Sequence, residues 1–182
     1  MTIPQRSDAR KRRQLLLDTA AEIFAQHGYG APLDSIAAKA GVGQGTLYRN
    51  FADRNELLAA LIDRDLTRLE DDLRDTPPAE HPFAMIELMA EAAVMDPVLS
   101  DYWTALPPES PLFQAGADRF FALAARGLPE AKAAGRLRAD FTPEDFCILG
   151  LIFRGIRLGS SEAERRGTKQ RVLSMLTGGI VP

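Results

Sequence analysis

The sequence predicts an all-α protein of about nine helices, and three observations carry that prediction. Glycine and proline fall between segments of helical period rather than inside them. No stretch sustains the apolar/polar alternation of a half-buried strand. No long repeat or low-complexity run interrupts the pattern.

The first helix is predicted over residues 8–27, with Leu16, Ala20, Ile23, Phe24 and His27 on one face and Arg10, Lys11, Arg12 and Arg13 in its opening turns. Gly28 stops it, and Tyr29 is expected to pack beyond. Two short helices follow over residues 33–40 and 44–50, separated by Gly41-Val42-Gly43. A long helix is predicted over residues 53–74. Asp53 with Glu56 three residues on is a capping-box-like start, and Leu58, Ile62, Leu66, Leu69 and Leu73 form its stripe. At 1.5 Å per residue it extends roughly 33 Å, enough to link two bodies mechanically.

The proline-rich segment 75–82 is the clearest break. Residues 82–95 then form a helix that is apolar on more than one face, which calls for a central, buried position. A short helix over 98–106 ends at Pro107-Pro108. Ser110 and Pro111 are an N-cap and a first-turn proline for a helix carrying Phe113, Phe120, Phe121 and Leu123, which Pro129 should kink or divide before Gly135. Thr142-Pro143-Glu144-Asp145 starts the next helix, apolar nearly all round through residues 146–158. A last helix covers residues 162–176. The predicted division is a helical head over residues 1–52 and a larger helical body over 53–182, joined by the long helix 53–74.

Composition narrows the function classes. The lone Cys147 excludes an internal disulfide framework and a Cys-rich zinc site, and suits a reducing cytosol. The most apolar run, residues 146–153, is far short of the roughly 20 residues a membrane span needs, so a cytoplasmic protein with no membrane partner is expected. His27 and His81 have no companion at metal-ligand spacing, so no metal is expected. No nucleophile elbow, phosphate loop, paired catalytic carboxylate motif or metal box is present. The expectation is a non-enzyme with no catalytic residues and no cofactor. The net charge of −3 hides an asymmetry: residues 1–54 hold eight Lys/Arg against five Asp/Glu, while the remainder is acidic. A basic head on an acidic body attracts phosphate locally.

The head has a helix-turn-helix pattern. With Leu33 as its first position, Ala37 falls where only a small side chain lets the second helix cross closely. Gly41 falls where the turn needs positive φ, and Ile36, Val42 and Leu47 plug the angle between the helices. A helical hairpin within a core would share some of these features.

The order Ala40-Gly41-Val42, Gly45-Thr46-Leu47-Tyr48 and Phe51 decides between the two. It is flanked by Leu16 to Phe24, Gly28-Tyr29, Ile36-Ala37 and Arg54-Asn55-Glu56-Leu57-Leu58, and residues 10–60 closely resemble the head of TetR-type transcriptional repressors. The resemblance implies a homodimer that binds palindromic double-stranded operator DNA, each subunit placing its second short helix in a major groove. It also implies a body that binds a small-molecule effector to release the operator. Carried over by position, Gln44 and Thr46 would reach base edges or the adjacent phosphate, and Tyr48 would bond a phosphate. Arg49 and Asn50 would contact phosphate or base, and Arg54 would clamp phosphate. Lys39 is a further candidate contact. Arg10 and Arg13, in the basic run, are either a solvated helix start or an arm beside the minor groove. Two departures stand out: Ala31-Pro32-Leu33 lacks the Ser or Thr cap and phosphate contact common in the family, and Gly43 caps the second short helix only weakly.

Beyond Arg74 the resemblance is loose. Gly150 and Gly155, inside an apolar helix, suggest close helix approach. Leu149, Ile152, Phe153 and Ile156, with Val172, Leu173, Met175 and Leu176, are assigned to a four-helix dimer interface, with intrachain core as the alternative. Met85, Met89, Tyr102, Trp103, Phe113 and Phe120 are the candidates for an effector pocket, although core packing would produce the same stripe. Cys147, amid apolar neighbours, is expected in the core. The rival functional reading is an all-helical ligand-binding or scaffold protein with no DNA function, which would lack salt-sensitive retention on DNA.

Overall fold

A computed structural model of the chain describes residues 4–95, 99–158 and 161–180, with side chains placed for residues 8–95, 101–156 and 161–176. Among the described residues there are ten α-helices, two short 3-10 helices and no strand. Ten arise because the segment after Ser110 is divided, as Pro129 suggested. The division itself is made by Gly127 at φ 74°, and Pro129 opens the second piece.

Helix α1 (Pro4–His27) buries Leu16, Leu17, Ala20, Ile23 and Phe24. His27, expected on that face, is exposed: the buried stripe ends at Phe24, whose carbonyl accepts the Gly28 amide at 2.8 Å. Helices α2 (Leu33–Lys39) and α3 (Gln44–Asn50) meet at the turn the sequence called for. Gly41 has φ +67°, Val42 donates back to Ala37 O at 3.0 Å, and Ile36, Ala37 and Leu47 are fully buried between the helices. Helix α4 (Arg54–Leu73) starts at Asp53, whose carboxylate accepts the Glu56 amide at 2.9 Å. The Glu56 side chain reaches one residue further back than in a capping box, to the Ala52 amide at 2.8 Å.

A 3-10 turn (Pro78–Glu80) leads into α5 (His81–Met95), which is central as expected, and α6 (Leu99–Ala105) follows. Val98, the predicted start of that short helix, lies outside the described residues. Helix α7 (Pro111–Ala124) is capped by Ser110, which accepts the Phe113 amide at 3.1 Å, and α8 (Leu128–Ala133) is the short piece behind it. Helix α9 (Pro143–Phe153) starts with the Thr142 amide on the Asp145 carboxylate at 2.7 Å. The apolar run to residue 158 is not one α-helix: a 3-10 segment, Arg154–Leu158, finishes it. Helix α10 (Glu162–Ile180) is tied to α5 by Lys169, which bridges Glu87 at 2.6 Å and Glu91 at 2.8 Å.

Two hydrophobic cores result. The first joins α1, α2, α3 and the first half of α4 with Tyr102 and Leu106; the second joins Leu73, α5, the end of α7, α8 and α9. Helix α4 is shared, giving Leu57 to Leu66 to one core and Leu73 to the other. The body's Tyr102 is fully buried against the head, its ring edge-on to Phe24 at 6.0 Å. No helix among the described residues is long and apolar enough to cross a membrane.

Candidate nucleic-acid interface

Helix α3 has one fully buried residue, Leu47, and that single anchor sets which side chains face outward. Gln44, Gly45, Tyr48 and Arg49 are exposed, while Thr46 and Asn50 are half-buried. Among the described residues neither Gln44 nor Tyr48 has a polar partner within the protein, so the Gln44 amide and the Tyr48 hydroxyl are available to an external one. Arg49 donates to the Thr46 hydroxyl at 3.0 Å, and Asn50 turns its amide back to the Thr46 carbonyl at 2.8 Å. Gly43, before α3, provides no side-chain cap, and Pro32 provides none to α2.

The predicted cations divide into two groups. Arg10, Lys11 and Arg12 are exposed on the outer turns of α1; the side chain of Arg6, at the start of the run, lies outside the described residues. The other cations are engaged within the protein. Lys39 pairs with Glu22 at 2.5 Å across α1 and α2. Arg13 donates to the Asn50 carbonyl at 2.8 Å and lies over the Phe51 ring, 4.3 Å from its centroid. Arg54, expected to clamp a phosphate, turns inward: it donates to the carbonyls of Tyr29 and of Ala31, the latter at 2.8 Å, and lies near the Phe24 ring. Local sequence spacing could not reveal these uses, because each joins residues on different helices or loops, 17 positions apart for Lys39 and Glu22 and more than twenty for the two arginines.

The expected effector residues do not line one site. Met85 is buried in the second core and Tyr102 in the first, while Met89 is half-buried beside Gly150. Trp103 stands edge-on to both Phe113 and Phe120 at 6.0 Å, so these rings fill space between α6 and α7. A groove of about 380 Å³ lies between α4 and α7, lined by Ala59 and Ala60 of α4, Gly116 of α7, and Arg13 and Phe51 of the head among others. One signal for it was legible: small residues on both helices leave room between them. Arg119, another lining residue, holds α7 to α4 by a two-pronged contact with Glu70 at 2.7 Å, with Asp63 at 2.5 Å and Thr67 at 2.8 Å besides. That contact holds the Glu70 carboxyl below its ordinary pKa.

The expected dimer residues also separate. Leu149, Phe153 and Ile156 are buried in the chain's own core, and Val172, Leu173 and Leu176 pack against it. Of the assigned residues, Ile152 of α9 is 41% exposed and Met175 of α10 71%; on α9 Ile152 shares its apolar surface with two neighbours that were not assigned, Ile148 at 55% and Leu151 at 63%. Cys147 shares this surface and is exposed, not in the core; its thiol is pushed above the ordinary pKa by partial burial and by Glu144. A helix apolar all round does not announce which side its own chain covers.

Comparison with known proteins fits this geometry. Residues 16–61 match the model of the bacterial regulatory proteins of the tetR family. The whole chain is similar to a TetR transcriptional regulator from Streptomyces coelicolor, 31% identical, covering 93% of this chain and 98% of that one, at a TM-score of 0.58. The chain belongs to the TetR family. A TetR transcription regulatory protein from Mycobacterium vanbaalenii is 28% identical over 98% of this chain and all of its own, at a TM-score of 0.67. Among curated relatives, an HTH-type transcriptional regulator of Staphylococcus aureus is 39% identical over 62 residues, and the match spans about a third of each protein (34%). The likeness to that relative is thus confined to a head-sized segment, while the solved TetR structures are matched along their length.

Proposed function

We propose that this chain is a DNA-binding transcriptional regulator of the TetR type, a repressor that binds a palindromic operator as a homodimer and is released by a small-molecule effector. The observation that carries the reading is α3, anchored by Leu47 and presenting Gln44, Tyr48 and Arg49 outward in a basic head. An amide at the start of such a helix suits base-edge contacts, while a phenol and a guanidinium farther along suit phosphate. The exposed cations Arg10, Lys11 and Arg12 extend the positive surface. Such a regulator works in the cytoplasm and joins the nucleoid when bound.

Dimerisation is assigned to the exposed apolar face of α9 and α10: Ile148, Leu151, Ile152 and Met175. Ile148, Leu151 and Ile152 stand at i, i+3 and i+4 on one side of α9, and an exposed apolar stripe of this kind marks an association surface. The effector is assigned to the α4–α7 groove, because an occupant there would press on the helix that both cores share. By linkage an effector that lowers DNA affinity must bind free protein more tightly than the DNA complex.

Selection of binding sites from random duplexes tests the central claim. The expected result is a two-fold symmetric site whose half-sites match dimer-related α3 helices, about 34–36 Å apart or at a longer bound spacing. Recovery of no symmetric site, together with no salt-sensitive retention on DNA, would overturn it.

A further inference from the structure

We infer that Arg13 and Arg54 are positioning residues that orient the helix-turn-helix, and that neither is a phosphate contact. The inference rests on α3 being the helix that faces DNA.

A helix leaves its last carbonyls without intrahelical partners, and α3 is only seven residues long. Apart from the bonds inside the helix, three of its carbonyls accept a donor. Thr46 O accepts the Asn50 side-chain amide at 2.8 Å, Leu47 O accepts the Phe51 amide at 2.9 Å, and Asn50 O accepts Arg13 at 2.8 Å. Arg13 comes from α1, 37 residues earlier, and its guanidinium also covers the ring of Phe51, the residue that ends α3. A cation at the C-terminal end of a helix is favoured by the helix dipole, and a cation over an aromatic face by the ring's quadrupole. Both contacts fall on consecutive residues at one end of α3. Leu47 is the one fully buried residue of α3, and the buried Phe51 follows it, so Arg13 acts where the helix enters the core shared with α1.

Arg54 does the corresponding work on the other side. It is the first residue of α4, and its two terminal nitrogens donate to Tyr29 O and Ala31 O in the loop between α1 and α2. That loop has no side-chain cap for α2; besides its own turn, in which Ala31 N–H donates to Gly28 O at 3.1 Å, Arg54 fastens it from α4. The two arginines thus tie α1 to the end of α3 and the start of α4 to the start of α2. Their donors are directed at backbone oxygens of the protein, whereas Arg10 and Arg12 make no such contact among the described residues.

The test uses the full chain with Arg13→Ala, Arg13→Gln, Arg54→Ala and Arg54→Gln, each checked for native helicity. Amide exchange is followed in the free protein at residues 46–51 and 29–35. In parallel, affinity for a random-sequence 30-base-pair duplex is measured from low to high salt. The alanine variants are expected to speed exchange in their own segment by about tenfold or more, Arg13→Ala losing one hydrogen bond to a charged group and Arg54→Ala two. The glutamine variants, which keep an amide donor but no charge, should recover part of that protection. The dependence of log affinity on log salt should keep its slope in all four, since no phosphate contact is removed. A lost phosphate contact would lower the slope by about 0.9 in the alanine and glutamine variants alike. A slope reduced by that amount overturns the assignment, and so does unchanged exchange. If the wild-type chain does not bind the duplex, the regulatory reading fails, while the exchange arm still decides whether the arginines position the head.

Discussion

Gly127→Ala should destabilise the protein well beyond what its backbone conformation alone costs, and Gly41→Ala supplies the comparison. Both glycines have positive φ, +74° and +67°. An L-residue held there loses roughly 1–2 kcal/mol, of which about 0.4–1 kcal/mol returns through the stiffer unfolded chain. At Gly41 nothing lies within 4 Å of an added Cβ, so the net loss should stay near 1 kcal/mol. At Gly127 the added Cβ would sit 2.1 Å from the Pro78 carbonyl oxygen and 2.8 Å from His81 Cβ. Neither is the flexible tip of a side chain: one is backbone in the 3-10 turn, the other the root of a buried residue at the start of α5. Relief requires moving α8 off that turn, and such overpacking typically costs a further 1–3 kcal/mol or so. For a domain of this size each kcal/mol shifts the melting temperature by about 2–4 °C. Thermal melts monitored by circular dichroism should therefore place Gly127→Ala several degrees below Gly41→Ala, both below wild type. Equal melting temperatures for the two variants would refute the argument from close approach.

The exposed α9 face predicts that Leu151→Arg yields a folded monomer by sedimentation, whereas Leu149→Arg, which buries an unpaired charge at a cost of several kcal/mol, unfolds; a dimeric Leu151→Arg would relocate the interface. Gln44→Ala should change which operator is preferred, while Tyr48→Phe should weaken binding to all sequences alike; the reverse pattern in binding-site selection would exchange their roles. His81 is buried, and that burial, with the charge of Arg126, holds its pKa below the ordinary imidazole value. The unfolded chain takes up a proton more readily than the folded one, so the His81 contribution is complete above about pH 6.5 and declines as pH falls, by at most about 1.4 kcal/mol per pH unit. Denaturant melts should show that His81→Phe flattens this acid-side loss; identical slopes in variant and wild type would exclude His81 as its source.

The amino-acid sequence determined what depends on neighbours along the chain. Ala37, Gly41 and Leu47 specify a crossing, a turn and an anchor within fifteen residues, so the helix-turn-helix and the outward row on α3 were legible without coordinates. Caps at Asp53, Ser110 and Thr142 placed helix starts for the same local reason. Tertiary structure decided everything that depends on which faces meet. Tyr102 belongs to the head's core although it stands in the body's sequence, and Arg119 closes on residues about fifty positions earlier. Arg13 and Arg54 look like surface cations until the carbonyls they serve are brought beside them. On α9 an apolar residue at every turn of the helix leaves the period silent about direction. Only packing against α5 and α7 separates buried Leu149 and Phe153 from exposed Ile148 and Leu151. Local hydrogen bonds and backbone angles are written within a few residues, whereas burial is a property of pairs of surfaces that meet only once the chain has folded.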